Sequence, residues 1–508
     1  MCKNTVIGIN DAPTGTSKTY HPQRLSFRYF MAFVPFILVL LISTSYQHKH
    51  DDVNYFERDD FAPEVKDSLR NFIAAVKTCC NVDPLSNEWD FIKGFYSDNG
   101  YRPIWIHLNG LDDGTEQLIQ LIEKSREFGL NPDNYHIQSI RNRINAYQNI
   151  QARVYMDFAL EVTLTDAAFR LMFNLHSGYL PYDSAFSSGI ADEFASILLR
   201  SVAENNVYAG IVSAEPQFYE YQKLRQATAV FLTENELNYA EITDSSTLIE
   251  REFRFNRLAL NLDRLRKQTY NPERMIYVNI PSYTLRIFEK NQIADTFRVI
   301  VGNPATPTPV LSGTMQSIIA NPEWFVPKSI ALNEILPKLK SDTTYLQKHG
   351  YSVLDVRLRV VDAASINFSN IKTSDFNYTF RQKRGSANSL GTAKFLFDNP
   401  YAVYLHDTPS RALFAKQKRA LSHGCVRLQH PERLANYILR NINSDTTHFE
   451  KVVETGLHSE FRLKSDLPVH ITYITCEATG NGRIVFYDDI YNYDRTEIEA
   501  MLQFIKAN

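Results

Sequence analysis

Five cysteines in 508 residues, Cys2, Cys79, Cys80, Cys425 and Cys476, are too few and too irregularly spaced to build a disulfide framework. A dominant charge is missing too. With 54 Lys and Arg against 57 Asp and Glu, the formal net is -3, so bulk charge gives no reason to expect nucleic acid or another polyanion as a partner. Residues 64–232 hold neither a Gly-rich phosphate loop nor a Cys-x-x-Cys pair, and no repeat or low-complexity tract runs through the chain. Apolar material is plentiful, with 44% hydrophobic and 12% aromatic residues, enough for two or three units with their own cores. A cysteine in such a chain is available for chemistry rather than for stapling.

Only one apolar run is long. YFMAFVPFILVLLISTSY, residues 29–46, is 18 residues without a charge, just enough to cross a hydrocarbon core of about 30 Å as a helix. Lys3, Lys18, Arg24 and Arg28 precede it against a single Asp11, so the positive-inside rule puts residues 1–28 in the cytoplasm and the rest outside. STSYQHKH after Ile42 offers no A-x-A cleavage pattern, which favours a retained signal-anchor. Residues 47–63 are polar and acidic and read as a linker; His48 and His50 beside Asp51 and Asp52 read as solvated juxtamembrane chain.

Residues 64–270 read as a helical scaffold. Leu118, Leu121, Ile122 and Phe128 recur near the 3.6 period before Gly129 and Pro132, and Phe255, Leu258, Leu262 and Leu265 do the same further on. At Asn271-Pro272 the pattern changes: MIYVNI, YTLRIFE and FRVIVG are short β-branched and aromatic runs, separated by Pro281-Ser282 and by NQIAD. VHITYITCEA and RIVFYDDIY repeat the pattern around a turn at Thr479-Gly480-Asn481-Gly482. The long polar insertion at about residues 325–385 reads as a lid. The expected fold is therefore multidomain α+β: a helical scaffold, then a mainly β domain over 271–508 with an inserted capping subdomain.

The chemistry is concentrated in VYLHDTPSRALFAKQKRALSHGCVRL, residues 403–428. A thiol attacks as thiolate and is mostly protonated at neutral pH unless an imidazole or local dipole assists. Cys425 has His423 two residues before it and His406 nineteen before it. Gly424 permits a tight turn in which the N–H groups of His423, Gly424 and Cys425 could face a developing oxyanion. Other readings compete: an ordinary buried cysteine, a zinc site of His406, His423, Cys425 and His430, or a glycine that merely serves a turn.

SHGCVR preceded by HDTP resembles the catalytic signature of the L,D-transpeptidases, the YkuD family. Fifteen residues lie between His406 and Ser422, inside the family's window. VNIPSYTLRIF, VIVGNPATPTPV, NPEWFVPKSIA, RQKRGSANSLGTAKF and ITYITCEATGNGRIVFYDDIY are similar to the large periplasmic, YcbB-type branch. That resemblance implies Cys425 as nucleophile, His406 as base and acid, and the backbone carbonyl of Asp407 orienting the imidazole; His423 is close enough in sequence to compete for the role. Arg427 could hold a stem-peptide carboxylate or, alternatively, pair with Glu432. Tyr404, on the strand face of His406, could line the donor groove, Trp324 could flank the site, Ser422 is expected on the substrate side, and Gly424 belongs to the catalytic turn. Cys476 reads as a buried strand residue.

The implied reaction joins two peptidoglycan stem peptides by a 3-3 cross-link, with a tetrapeptide donor losing D-Ala and the third-residue amine of a second stem as acceptor. No metal or organic cofactor is implied, nucleic acid is not a partner, and carbapenems would acylate the thiol. The location implied is the inner membrane, single-pass, with the catalytic part in the periplasm and other wall-synthesis proteins as candidate partners of the helices. The branch often carries a peptidoglycan-binding helical module, but residues 222–265 show no FQ-x-x-x-GL-x-x-DG core and are too short for one. Two alternatives stay open: an L,D-carboxypeptidase or D-amino-acid exchange enzyme, and a wall-binding scaffold with an idle thiol.

Overall fold

A computed structural model describes residues 63–76, 87–107, 110–148, 157–179, 188–236, 245–267, 273–342, 344–385 and 387–507. The anchor expected at 29–46, the linker up to residue 62 and the Cys79-Cys80 pair lie outside the described residues. No described helix is long and apolar enough to cross a membrane.

The first half is helical: α1 Pro63–Ala75, α2 Asn87–Asp98, α3 Asp113–Glu123, α4 Ile137–Gln148, α5 Phe158–Ser177, α6 Ser188–Ala203, α7 Val207–Val212, α8 Tyr219–Glu236 and α9 Ser245–Arg266. A short hairpin, β1 Ile106–His107 and β2 Gly110–Leu111, interrupts it. Gly129 ends the helical run after α3 with φ +70°, and a Cβ there would stand 2.8 Å from the Ala259 Cα. Both the handedness and the close approach require glycine.

Two compact units are present. Among the described residues, one draws on those up to Leu121, on Tyr135–Phe169 and on Ser188–Ile211. Its centre is a buried carboxylate: Glu161 accepts N–H bonds from Ile104, Trp105 and Ile106 at 2.6–3.1 Å and a hydroxyl bond from Tyr96 at 2.9 Å. Burial still pushes this carboxyl up to about 7.

The other unit draws on the described residues within Ile122–Asn134, Arg170–Ser187 and Val212–Asn508. Its strands are β3 Arg274–Asn279, β4 Thr284–Glu289, β5 Gln292–Gly302, β6 Leu311–Ala320, β7 Trp324–Phe325, β8 Tyr351–Leu354, β9 Val360–Val361, β10 Thr379–Gln382, β11 Ala393–Phe397, β12 Leu405–His406, β13 Ala420–Ser422, β14 Val426–Leu428, β15 Ser459–Arg462, β16 Pro468–Thr472, β17 Cys476–Ala478 and β18 Ile484–Phe486. The main sheet runs β11-β12-β14-β5-β4-β3-β16-β6-β15, and an additional β6–β11 pairing closes the path on itself. Alternate strand residues such as Val299, Val301, Phe395, Phe397, Val426 and Leu428 fill its core, joined by Leu434 and Ile438 of the helix Pro431–Asn441. Where NQIAD suggested a loop, Lys290 and Asn291 alone make the turn, both at positive φ, and β5 starts at Gln292. A two-residue turn of that hand matches strand twist, so the pairing continues to its edge.

The division at residue 270 is not where packing divides the chain. Phe218, Tyr221 and Leu224 near and on α8, with Leu258, Leu262 and Leu265 of α9, share a core with Met275, Tyr277, Phe288, Ile474 and Cys476. The apolar stripes of α8 and α9 thus serve the strand unit. Between residues 222 and 265 the described residues hold only these two helices. Arg286 on β4 ties α8 to β17, bonding Glu220 at 2.9 Å and Glu477 at 2.5 Å with little solvent access.

Between β6 and β11 the insertion folds as a subdomain. Its sheet runs β7-β10-β8-β9, and Val326, Ile335, Leu336, Leu339, Val353, Phe376 and Phe380 form a separate core. A helical stretch of Lys328–Ile330, Ala331–Ile335 with π geometry and Leu336–Ser341 covers it.

Removing one partner from a buried ion network leaves the others uncompensated, at about 3–5 kcal/mol. Arg286→Met should therefore lower unfolding free energy by about 3 kcal/mol or more in urea at pH 7. A loss under about 1 kcal/mol would show the network to be dispensable.

Candidate active site

The site begins with a short parallel pairing. β12 lies beside β14 with Leu405 opposite Val426 and His406 opposite Arg427, and the Val426 N–H donates to the Tyr404 carbonyl at 3.2 Å. Side chains alternate along a strand, so Tyr404 and His406 share a face with Cys425 and Arg427. On the other side of β12, Lys394 of β11 is opposite His406 and joins the same face. The side chain of Asn399 shapes the turn into β12, donating to the Val403 carbonyl and accepting from the Tyr401 and Val403 N–H groups.

His406 is buried, and its Nδ1–H donates to the Asp407 carbonyl at 2.5 Å, leaving Nε2 as the acceptor. Burial, then the charges of Arg427 and Lys394, hold the imidazole down to about 3. The Asp407 carboxylate turns away from the ring and accepts the Thr392 N–H and hydroxyl at 2.9 and 3.0 Å, with the Arg411 guanidinium at 3.3 Å. Gly391 has φ +57°, and a Cβ there would fall 2.2 Å from Asp407 Oδ2 and 2.6 Å from its Cβ.

The turn Ser422 to Cys425 is braced from behind by the loop after β5. The Ser422 carbonyl accepts from the Asn303 N–H at 2.9 Å, Asn303 Nδ2 at 3.1 Å and the Thr306 hydroxyl at 3.2 Å, and the Thr308 hydroxyl donates to the Gly424 carbonyl at 2.7 Å. Gly424 has φ +113°, which favours glycine although a Cβ would meet nothing closer than 3.7 Å.

Ser422, expected on the substrate side, is buried; its hydroxyl donates to the Cys425 carbonyl at 2.5 Å and accepts the Gly424 N–H at 3.2 Å. It braces the turn, and it occupies one of the three N–H groups expected to face an oxyanion. Those of His423 and Cys425 carry no hydrogen bond among the described residues. The His423 imidazole is exposed and pairs with Glu334 of the capping subdomain at 2.6 Å, so His406 and not His423 shares the face of the thiol. His430 lies near Glu432 at 3.6 Å, and among the described residues no group of three His, Cys, Asp or Glu converges as a metal site.

Cys425 is partly buried, and burial pushes its thiol up. Opposing this, the Tyr404 backbone N–H and hydroxyl both donate to the sulfur, and Lys394 and Arg427 add positive charge. Tyr404 therefore touches the thiol itself. Trp324 reaches the Tyr404 hydroxyl from β7, and the Lys394 ammonium lies 4.1 Å from the Tyr404 ring centre. Arg427 has no ion-pair partner among the described residues; the pairing with Glu432 does not form. Cys476 is fully buried in β17, its thiol pushed up by burial.

Residues 273–468 match the model of the L,D-transpeptidase catalytic domain, YkuD, and residues 90–227 that of a scaffold domain. A Haemophilus influenzae protein named "Putative L,D-transpeptidase" is 35% identical over 300 residues, 58% of this chain and 57% of its own length. The chain thus spans little more than half of that relative. Solved L,D-transpeptidases from Mycobacterium smegmatis and Mycobacterium tuberculosis are 14% and 15% identical, cover 39% and 40% of this chain and 58% and 62% of their own, and superpose with TM-scores of 0.18 and 0.20.

Two outcomes follow from the geometry. Gly391→Ala should cost about 1–3 kcal/mol of stability, read by thermal unfolding; an unchanged transition would mean that the Asp407 cradle is slack. The His406 contribution to stability is complete above the ordinary histidine value of 6.5 and is lost progressively as pH falls toward about 3. Urea midpoints should therefore fall between pH 7 and pH 4.5, more steeply in the parent than in His406→Asn, and equal slopes would contradict this. The two matched segments give this chain a YkuD L,D-transpeptidase catalytic domain with a scaffold domain ahead of it, the YcbB-type arrangement.

Proposed function

We propose that the protein forms 3-3 cross-links between peptidoglycan stem peptides through a thioester on Cys425. The observation that carries this reading is the single face that presents Cys425, an imidazole fixed by the Asp407 carbonyl, and an unpartnered Arg427 in a domain matched to the L,D-transpeptidases.

Cys425 sulfur attacks the carbonyl between the third stem residue and the terminal D-Ala while its proton passes to His406 Nε2. The free N–H groups of His423 and Cys425 are the donors for the oxyanion. The C–N bond breaks, and the D-Ala amine leaves with the proton held by His406. The amine of a second stem's third residue then attacks the thioester and gives its proton to the same nitrogen; the C–S bond breaks and the thiol is restored. Arg427 holds a donor carboxylate bidentately. An acyl bond is conserved throughout, so the reaction needs no ATP, which suits a periplasmic site. Residues 29–46 would anchor the chain in the inner membrane.

Full-length protein incubated with tetrapeptide muropeptides should release D-Ala and yield 3-3 dimers identified by tandem mass spectrometry. Cys425→Ala should keep its thermal transition and lose the dimer; dimer formation by that variant would sink the reading. Tripeptide alone, even with acceptor stems in excess, would assign the carboxypeptidase reaction instead.

A further inference from the structure

A neutral histidine and a partly buried thiol pose a problem of charge. A cysteine paired with an imidazolium can rest as an ion pair, but His406 is enclosed and already faces two cations, Arg427 across β14 and Lys394 across β11. A third positive charge on that face is disfavoured by the same repulsion. We propose that the Lys394 ammonium is the fixed positive charge that steadies the negative charge developing on the Cys425 sulfur while its proton passes to His406, an inference that rests on Cys425 being the nucleophile.

Geometry singles out Lys394. It stands directly opposite His406 in the sheet, in a strand whose alternate residues Ala393, Phe395 and Phe397 are all buried in the core. Its ammonium is held 4.1 Å from the centre of the Tyr404 ring, and Tyr404 donates both its N–H and its hydroxyl to the sulfur. No carboxylate neutralises it among the described residues. Facing the thiol are Tyr404 and His406 from β12, Lys394 from β11 and Arg427 from β14. The neighbouring carboxylates are engaged elsewhere: Asp407 with Thr392 and Arg411, Glu334 with His423, and Glu323 with Arg381 and Arg384. Burial pulls the Lys394 ammonium down and the charge of Cys425 pulls it back up, a reciprocal coupling.

Arg427 cannot serve equally well throughout, because a substrate carboxylate compensates its charge once the donor binds. Lys394, stacked on the tyrosine, keeps its charge for the sulfur. The lysine transfers no proton: the thiol proton goes to His406 Nε2, and Lys394 remains an ammonium before and after acylation. It is a positioning residue, acting through charge on the reacting atom.

The test is the pH dependence of iodoacetamide alkylation of the full-length protein, with modification at Cys425 separated from the other four cysteines by peptide mass mapping. Lys394→Met should raise the alkylation midpoint by about one pH unit, a roughly tenfold slower reaction below the midpoint, and Lys394→Arg should restore most of it. Lys394→Gln provides a second neutral variant should the methionine disturb folding, and thermal unfolding verifies each. A folded neutral variant with the parental midpoint overturns the proposal, as does an arginine variant no better than methionine, which would show that packing and not charge matters. Alkylation needs neither donor nor acceptor. A protein that makes no 3-3 product can still show the shift, and a protein that makes it without the shift refutes the lysine's role alone.

Discussion

Everything at this site depends on two short strands running parallel. β12 and β14 place Tyr404 and His406 beside Cys425 and Arg427, and a slip of one residue would turn either pair to the opposite side of the sheet. The register is guarded from three directions. β14 pairs with β5, the loop after β5 clamps the Ser422 to Gly424 backbone, and Asp407 is locked to Thr392 at the start of β11. The glycines at 391 and 424 are positive-φ positions within that clamp. The reactive geometry thus rests on backbone pairing, which a small change in one side chain cannot easily displace.

The electrostatics follow from burial. An enclosed imidazole stays neutral and can accept a proton only in passing, which suits a group that must give it up again to a leaving amine. Among the described residues, donors and cations surround the sulfur and no carboxylate pairs with them there, so the face favours anions: a thiolate, an oxyanion, a substrate carboxylate. The capping subdomain adds Trp324 through Tyr404 and Glu334 through His423, linking its own separate core to the reactive turn at two points.

The sequence makes some of this legible because the information is local. The His406 to Cys425 spacing, the strand periods at β3, β4 and β5, the Gly129 stop and the β17–β18 turn each sit within a few residues of their cause. The role of Ser422 was not readable, since only the fold shows its hydroxyl spent on its own turn. His423 looked as close to the thiol as His406, yet its partner is 89 residues earlier in sequence, on a helix whose position depends on the capping core. Lys394 is a single lysine in an apolar strand, a signal that acquires meaning only when the β11–β12 register puts it opposite His406. The composition shift at Asn271 marks where strands begin, but α8 and α9 pack with those strands because their apolar stripes match β3 and β4 across a long separation in sequence.

The central claim is that Cys425 is an activated, acyl-accepting thiol. The most direct measurement is the intact mass of the protein after incubation with a carbapenem, followed by peptide mapping. The account predicts one covalent adduct located on Cys425 and absent from Cys425→Ala. An unmodified parent protein, or an adduct on any other residue, would contradict it.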